Sequence, residues 1–452
     1  MGYIDNTSSP HLASRLKSND ELFAMYIKNK TFVDWFSDDD TVEFGMNYSS
    51  KERISRQNKF NLRRIGSVAL DDADLTADIE SFYYEYVRNN IPYNERAFIV
   101  SPAFKAADYF DAEVNEFGLY GSTYVKPSDK IETTIGLRFV DLSQTVYQYK
   151  LDRNNPDMSQ RSLIQRIPES LEVTGFYPSA SLKYKWDEDN HFDFAVSKTY
   201  IVPDLREFTD GEYFHPYDVA TVKGNPNLEN TDIYNLDFKY SHYISDSENI
   251  KAGLFFKYLD KPIEDVMIPS SSLPIYSYDN ADTAILYGVE VDGRKNFDFL
   301  GEKYEKFYFS GNFSYTESDV TLRDEQLDTY STNHRQLQGL SQIVMNATVG
   351  FDNDERNVAL SYNKMGERIR KVGVIDEYAY PDYYETPPQM LDFVWQEKFD
   401  KGDLEGFGIE NLSAKLKIGN ILDDKTVWRQ GSNITKTFKR GQTISFGISS
   451  KF

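Results

Sequence analysis

The feature that most restricts the fold of this chain is a period-two alternation of apolar and polar side chains. The last ten residues show the pattern, with Ile444, Phe446, Ile448 and Phe452 on one face and only small or polar residues at the positions between. Alternation of this kind is typical of a β-strand between two different environments, and about ten residues suffice to cross a bilayer as a tilted strand. We therefore expect the chain to be built from strands of this type.

The alternation recurs along most of the chain and predicts about 14 strands. The first begins at Val42, and the others cover residues 117–125, 131–139, 177–186, 192–200, 233–240, 250–258, 284–295, 307–316, 343–351, 358–363, 390–399, 412–420 and 443–452. Residues 1–40 show no such alternation, and a short amphipathic helix and an irregular loop fit residues 21–36 equally well. The predicted organisation is a poorly defined segment at residues 1–40, followed by a β-barrel at residues 41–452.

The lengths of the connections separate a barrel from a soluble β-sandwich, which would show the same alternation. Short connections, at residues 127–130, 187–190, 241–249, 298–305, 352–357 and 400–410, alternate with long ones. The long connections are residues 65–116, 140–176, 201–232, 259–283, 317–342, 364–389 and 421–441. Short turns at one rim and long loops at the other are typical of an outer-membrane barrel. The sequence thus predicts an all-β, antiparallel transmembrane barrel.

Composition excludes several other classes of protein. The chain has 50 basic and 72 acidic residues, and a net charge of -22 disfavours nucleic acid as a partner. No apolar run approaches the length of a transmembrane helix, so only a barrel would span a bilayer. The abundance of tyrosine (33) and phenylalanine (31) fits aromatic girdles at two membrane interfaces. Without cysteine, and with only five scattered histidines, we predict neither a metal site nor a cofactor.

Two elements resemble a known family when they are taken together and in order. Residues 200–207 read YIVPDLRE and residues 223–228 read KGNPNL. They are similar to the "RPxxRE" and "GNPNL" elements of the TonB-dependent outer-membrane receptors, although Val202 stands where the family more often has arginine. Further elements at residues 235–238, 287–291, 337–341, 345–347, 362–366 and 419–423 recur in the same order in that family, so the resemblance covers about residues 42–452. The motif residues are Pro203, Arg206, Glu207, Gly224, Asn225, Pro226 and Leu228.

The resemblance implies a fold and a set of partners. Complete members of this family have a signal peptide, a globular plug and a barrel of 22 strands. We therefore expect this chain to be the C-terminal part of such a receptor, with neither plug nor signal peptide present in it. The implied function is energy-coupled uptake of an iron chelate, cobalamin or a glycan across the outer membrane of a Gram-negative cell. The implied partners are this small-molecule or glycan ligand, the TonB complex acting through a plug missing from this chain, the barrel-assembly machinery and membrane lipids.

Enzymatic activity is not expected, because the sequence has no GxSxG, GxGxxG, Walker or HExxH motif. Two alternatives to a transport receptor remain open at this stage. One is a self-contained porin of 14 or 16 strands without a plug, and the other is a soluble or surface-attached β-sandwich that binds glycans.

Three groups of residues are candidates for function. Aromatic side chains in a long connection offer faces for a sugar or a catechol, or else pack within the loop and anchor it at the interface. These are Tyr378, Tyr380, Tyr383 and Tyr384, with Trp428 expected behind them. The motif around Gly224 is expected to form a structural turn, and Arg206 and Glu207 either pair in the lumen or are solvated. Phe452, with Phe446 and Ile448, resembles the signal by which outer-membrane barrels are recognised for assembly.

Overall fold

A computed structural model of the chain describes residues 11–64, 98–102, 108–151, 163–165, 168–215, 220–268, 275–332, 334–353, 355–375, 380–399 and 411–451. Within these residues the chain is nearly all β, with 26 strands numbered β1 to β26 in chain order. The 3-10 helices in this part are Phe297–Leu300, Glu302–Tyr304 and Asp324–Gln326. No helix in the described segments has the length and apolar character needed to cross a membrane.

Fifteen long strands form one large sheet. They are β1 (His11–Phe32), β2 (Thr41–Arg64), β4 (Tyr109–Ser128), β5 (Ile131–Leu151), β7 (Glu169–Lys185), β8 (Asn190–Ile201), β11 (Thr231–Ser245), β12 (Glu248–Asp260), β15 (Thr283–Asn296), β16 (Phe307–Thr321), β18 (Ile343–Asp352), β19 (Arg356–Met365), β22 (Met390–Phe399), β23 (Asn411–Gly419) and β26 (Thr443–Lys451).

The remaining strands are short and lie in the long connections. They are β3 (Phe98–Pro102), β6 (Leu163–Gln165), β9 (Glu212–His215), β10 (Ala220–Lys223), β13 (Ile263–Ile268), β14 (Ile275–Asn280), β17 (His334–Arg335), β20 (Arg368–Lys371), β21 (Tyr383–Thr386), β24 (Lys425–Gln430) and β25 (Asn433–Lys439). Two small sheets are formed among them, in the orders β13-β14-β10-β9 and β20-β21-β24-β25, and the other three short strands, β3, β6 and β17, pair with long strands and bring the large sheet to 18 strands.

Each long strand pairs antiparallel with the next long strand along the chain, so the large sheet is a meander. The predicted all-β antiparallel fold is confirmed, and each of the 14 predicted strands corresponds to one of these long strands. Trp186 and Asn420 lie just beyond the ends of β7 and β23, and Phe452 lies outside the described residues. Among the described residues, β1 pairs only with β2, and β26 pairs only with β23.

Strand β1 is the main difference from the sequence-based expectation. Residues 21–32 belong to a strand rather than to the helix or loop that the pattern allowed, and β1 pairs with β2 along its whole length. The apolar residues of β1 come partly in adjacent pairs, Leu22 with Phe23 and Tyr26 with Ile27, and this obscures the period-two signal. The predicted boundary between residues 40 and 41 falls where the β1–β2 turn ends and β2 begins.

The two ends of the sheet differ as the connection lengths predict. One end carries short connections, at residues 33–40, 129–130, 186–189, 246–247, 297–306 and 353–355, and the other carries the long ones.

The β1–β2 turn shows how a short connection is held. Asp40 is fully buried, and its carboxylate accepts hydrogen bonds from the backbone N–H groups of Phe36 and Lys126, each at 2.7 Å. Asp40, the last residue of the acidic run at residues 37–40, therefore stabilises the β1–β2 turn.

The two faces of the large sheet are also unlike. Large apolar side chains protrude on one face, among them Phe44, Phe176 and Leu254, which are more than half exposed. On the opposite face polar groups contact each other, and Arg138 donates hydrogen bonds to Glu116 at 2.7 Å and to Asn47 at 2.9 Å. Strands that separate lipid from a polar lumen require this division.

The buried apolar cores lie at the end of the sheet that carries the long connections. In one core, Leu205 and Phe208 of the connection after β8 pack against Phe110 and Ala112 of β4 and Val146 of β5. A second core joins residues of the connections before β15, after β16 and after β19 to the ends of β15 and β16, and its members include Val266, Ala284, Val320, Val372 and Val374. In the described residues, the connections after β8, β12, β16 and β19 are therefore folded onto the sheet rather than extended away from it.

Candidate functional site

The motif residues after β8 form a compact turn. The backbone N–H of Phe208 donates to the carbonyl of Asp204 at 3.0 Å, and Oε2 of Glu207 accepts the N–H of Asp204 at 2.9 Å. Pro203 is buried, and its carbonyl accepts a hydrogen bond from Gln144 of β5 at 3.1 Å. The turn is thereby fixed both internally and to the large sheet.

Gly224 packs against this turn so closely that no side chain fits. A Cβ atom at this position would lie 2.2 Å from the carbonyl oxygen of Thr209 and 2.6 Å from that of Arg206. The next residue, Asn225, donates its N–H to the carbonyl of Glu207 at 2.6 Å and its side-chain amide to the carbonyl of Tyr278 at 2.9 Å. The segment from Gly224 through Pro226 to the buried Leu228 thus joins two long connections.

Arg206 and Glu207 do not pair with each other. The guanidinium of Arg206 lies 4.6 Å from the ring centroid of Tyr213 in β9, a cation–π contact. Glu207 caps its own turn, as described above, and also faces a cavity between the loops. Neither of the two arrangements considered from the sequence, a lumenal ion pair or full solvation of both residues, describes this geometry.

The candidate aromatic residues are divided between the two faces of the small sheet β20-β21-β24-β25. In β21, Glu385 lies opposite Trp428 of β24 and Tyr384 lies opposite Arg429. Because successive residues of a strand point to opposite faces, Tyr383 shares a face with Trp428 whereas Tyr384 lies on the other face. Tyr380 is 43% exposed and lies before β21. Tyr378 lies outside the described residues.

Trp428 is buried and already has polar partners. Its indole N–H donates to Oε2 of Glu385 at 2.8 Å, and the Arg370 guanidinium lies 3.8 Å from the ring centroid. On the opposite face of the sheet, the Arg429 guanidinium lies 5.1 Å from the ring centroid of Tyr384. Burial raises the pKa of both the Tyr383 and the Tyr384 phenol. Both phenols are therefore neutral at physiological pH.

A cavity of about 380 Å³ lies where four long connections meet, and we refer to it as the loop cavity. The contributing connections follow β8, β12, β16 and β19. Its lining includes the polar side chains of Glu207, Glu264, Asp265, Tyr278, Gln338, Arg368, Arg370 and Glu385. Its volume lies within the range of about 300–1,000 Å³ that is usual for small-molecule sites.

Most charges around the loop cavity are paired. Glu264 of β13 forms an ion pair with Arg335 of β17, and both side chains are almost completely buried. Asp265 pairs with Lys371, and Arg368 contacts Glu385 at 2.5 Å. These pairs join β13 to β17 and β20, and β20 to β21, so they hold separate connections around the cavity.

Glu207 and Tyr278 have perturbed pKa values in this setting. Burial raises the pKa of the Glu207 carboxyl, and the carboxylates of Asp204 and Asp265 raise it further. Burial also raises the pKa of the Tyr278 phenol, whose hydroxyl lies 3.4 Å from that of Tyr213. No group of three or more His, Asp or Glu side chains is arranged to hold a metal ion in the described part of the chain.

Sequence reasoning identified only Glu207 among the polar residues of the loop cavity, and it did so through the motif. Glu264 and Arg335 are separated by 71 residues and have no local signature. The alternation of connection lengths indicated that the long connections lie at one end of the sheet, but it carried no information about which of their residues would meet.

The proposed assembly signal lies on the last strand. Phe446 and Ile448 are both more than 60% exposed on the same face of β26, opposite Leu416 and Ala414 of β23. Phe452 lies outside the described residues. The role of these residues in assembly stays a prediction.

Comparison with known proteins places this architecture in one family. The family model described as TonB dependent receptor-like, beta-barrel matches residues 5–425. A comparison with curated proteins found no match.

Solved structures of receptors and transporters share the fold at low sequence identity. The ferric yersiniabactin uptake receptor FyuA from Yersinia pestis is 12% identical with a TM-score of 0.58, over 98% of this chain and 56% of FyuA. The ferric citrate transporter FecA is 9% identical with a TM-score of 0.58, over 99% of this chain and 56% of FecA. The copper transporter OprC is 11% identical with a TM-score of 0.59, over 98% of this chain and 58% of OprC.

This chain therefore spans little more than half the length of the solved chains that it resembles. The β-sandwich considered above is not its fold, because the long strands form one continuous meander that matches these barrels. Together, the match over most of its length, the antiparallel meander and the alternating connections show that the chain belongs to the TonB-dependent receptor β-barrel family.

Proposed function

We propose that the chain forms the barrel of a receptor that imports a scarce small ligand across the outer membrane of a Gram-negative cell. The energy is supplied by the TonB complex. The ligand is an iron chelate, cobalamin or a glycan. No step of this function requires chemistry on the ligand, in keeping with a family of transporters and receptors rather than enzymes.

The loop cavity carries the proposal. Four long connections fold inward at the same rim of the sheet and leave a space of about 380 Å³ lined by charged and aromatic side chains. A passive pore requires an open lumen, whereas inward-folded loops with buried ion pairs form a shaped site that discriminates between ligands. The described relatives include uptake proteins for ferric yersiniabactin, ferric citrate and copper, which supports an iron chelate as the ligand.

The barrel-assembly machinery and membrane lipids are the other proposed partners. The exposed apolar face of the large sheet supports contact with lipid, since such a face is unfavourable in water. Residues 41–452 are the proposed barrel portion, and the role of residues 1–40 is not assigned beyond the contribution of β1 to the sheet.

Uptake in the native cell tests the proposal. We expect deletion of the gene to abolish growth on one iron chelate, cobalamin or glycan supplied as the limiting nutrient, and a TonB-deficient strain to show the same loss. Complementation with the intact gene is the control. Uptake that continues without TonB, combined with steady ion conductance of the purified protein in planar bilayers, would refute the proposal and assign a passive porin.

A further inference from the structure

The longest of the short connections that the structure describes, residues 297–306 between β15 and β16, exposes large apolar side chains. Strands of a hairpin are usually joined by about two to five residues, so this connection is longer than closure requires. It contains two 3-10 turns, Phe297–Leu300 and Glu302–Tyr304, and neither has a buried residue. Phe299 and Leu300 are 66% and 59% exposed. In water these side chains forgo the favourable free energy of burial, so a partner surface is expected for them.

Aromatic contacts join this connection to the exposed apolar face of the large sheet. The ring centroids of Tyr304 and Phe307 are 6.3 Å apart, and those of Phe307 and Phe351 are 5.0 Å apart. Phe307 and Phe351 lie opposite each other in β16 and β18. At the start of the connection, the ring centroids of Phe297 and Phe299 are 6.1 Å apart. The apolar surface of the strands therefore continues into the connection.

The apolar face of β16 is shorter than a bilayer requires. Tyr315 lies opposite Val289 of β15, and Val289 lies opposite Leu254 of β12, so alternate residues of β16 share a face with Leu254. They run from Phe307 to Tyr315, and the next residue on this face is the acidic Glu317. At a rise of about 3.4 Å per residue and a tilt of about 40°, this stretch covers about 21 Å of the membrane normal, whereas the apolar band of an outer-membrane barrel is about 25 Å tall. Because Glu317 closes the other end, the missing length of about 4 Å falls at the connection.

The charged side chains near Phe299 fit the boundary between acyl chains and headgroups. Lys295, at the end of β15, pairs with Glu248 at 2.7 Å and with Asp298 at 2.9 Å, so these charges are compensated locally. The Lys303 ammonium lies 4.7 Å from the ring centroid of Tyr304. Lysine and tyrosine favour this boundary, because each combines an apolar body with a polar end.

We propose that residues 297–306 lie in the periplasmic leaflet of the outer membrane, with Phe299 and Leu300 among the acyl chains and Lys303 at the phospholipid headgroups. The connection completes the apolar band that β16 leaves short, and it fixes the height of this side of the barrel in the bilayer. The inference rests on the proposed function, because it requires a barrel that spans the outer membrane. It adds a second lipid-contacting surface to that of the sheet.

The chain has no cysteine, so a single introduced thiol gives a depth measurement at a chosen position. Phe299→Cys, Leu254→Cys and Glu188→Cys each receive one nitroxide label, and the purified protein is returned to phospholipid vesicles. Relaxation of the label by oxygen, which is concentrated among acyl chains, is compared with relaxation by a water-soluble nickel chelate on both sides of the vesicle. Leu254 is the lipid-facing reference. Glu188 is the water-facing reference, because it is exposed in the β7–β8 turn at the same end of the sheet as the connection.

We expect oxygen to relax the label at Phe299→Cys more strongly than the chelate does, as at Leu254→Cys, and the order to be reversed at Glu188→Cys. Adding Leu300→Ser to Phe299→Cys should shift the balance toward the chelate, because the second apolar side chain is lost. The matched control is Leu422→Ser, since Leu422 is 47% exposed and lies in a long connection at the opposite end of the sheet. Heat-modifiable migration on a gel confirms that each labelled variant is folded.

Stronger relaxation by the chelate at Phe299→Cys, with oxygen still favoured at Leu254→Cys, would overturn the inference and indicate a protein partner for the connection instead. An equal shift with Leu300→Ser and Leu422→Ser would also overturn it. Preference for the chelate at Leu254→Cys would show that the sheet itself does not face lipid, and this would remove the membrane placement on which the proposed function depends. The two proposals therefore fail separately.

Discussion

The buried ion pair between Glu264 and Arg335 makes a quantitative prediction about the loops. The two side chains are 2% and 3% exposed, and the pair links β13 to β17 across 71 residues of sequence. The Arg335 guanidinium lies 5.9 Å from the ring centroid of Tyr330. In Arg335→Met the long side chain still fills the space above this ring, but the carboxylate of Glu264 stays buried without its counter-charge. Removing one partner of a buried pair costs about 3–5 kcal/mol, because the other charge is left uncompensated.

Hydrogen–deuterium exchange with mass spectrometry measures this cost where it arises. A loss of at least about 3 kcal/mol would accelerate exchange through local opening by more than about a hundredfold in peptides that cover β13 and β17. The control is Arg356→Met at the other rim, where the Arg356–Glu397 pair has good geometry but the arginine is 52% exposed. We expect little change in exchange there, because exposed ion pairs contribute little to stability.

A double variant separates the ion pair from simple packing. When Glu264→Leu is added to Arg335→Met, no buried charge remains, and exchange in β13 should return most of the way to its original rate. The reasoning would be refuted if Arg335→Met altered exchange no more than Arg356→Met did. It would also be refuted if the double variant opened as readily as the single one.

Three further predictions concern the motif, the cavity and the last strand. Gly224→Ala places a Cβ 2.2 Å from the Thr209 carbonyl oxygen, so it should destabilise the loop by about 1–3 kcal/mol and speed its proteolysis. Gly253→Ala is the control, because its Cβ would lie 3.6 Å from the nearest atom and proteolysis of the loop should not change. Because the pKa of Glu207 is raised, the folded loop keeps the proton of this carboxyl to higher pH than the unfolded chain does. The stability of the loop, measured by thermal unfolding, should therefore fall as the pH rises from the ordinary glutamate pKa through the raised value. The same fall in a Glu207→Gln variant would contradict this prediction. Phe452→Ser should reduce outer-membrane assembly, and an unchanged yield of heat-modifiable protein would rule out the assembly signal.

The strands were predictable because the two environments on either side of a strand determine the polarity of consecutive residues. A strand between lipid and a polar lumen needs alternating side chains, and this local requirement located every long strand except β1. In β1 adjacent apolar residues such as Leu22 and Phe23 break the alternation. The strand forms there because β2 offers a complete partner ladder, which is a tertiary effect.

The candidate site was less predictable because its contacts connect distant segments. The four tyrosines were grouped by proximity in sequence, but β21 is a strand, and its geometry sends Tyr383 and Tyr384 to opposite faces. Recognition of that short strand would have separated them. Nothing local to Glu264, in contrast, indicates that Arg335 and the loop cavity lie beside it.

The origin of the loop cavity in four separate connections has a consequence for how such a receptor diversifies. The long strands that flank these connections pair with each other over most of their length, and only the last residues of β16 pair instead with β17 of the connection itself. A replaced segment would therefore leave most of the register of the sheet unchanged. A new segment would also have to supply the partners of the ion pairs that join the connections, such as Glu264–Arg335 and Asp265–Lys371. If the loop cavity binds the cargo, we expect its preference to change when a single connection is replaced together with the ion-pair partners that the connection contacts.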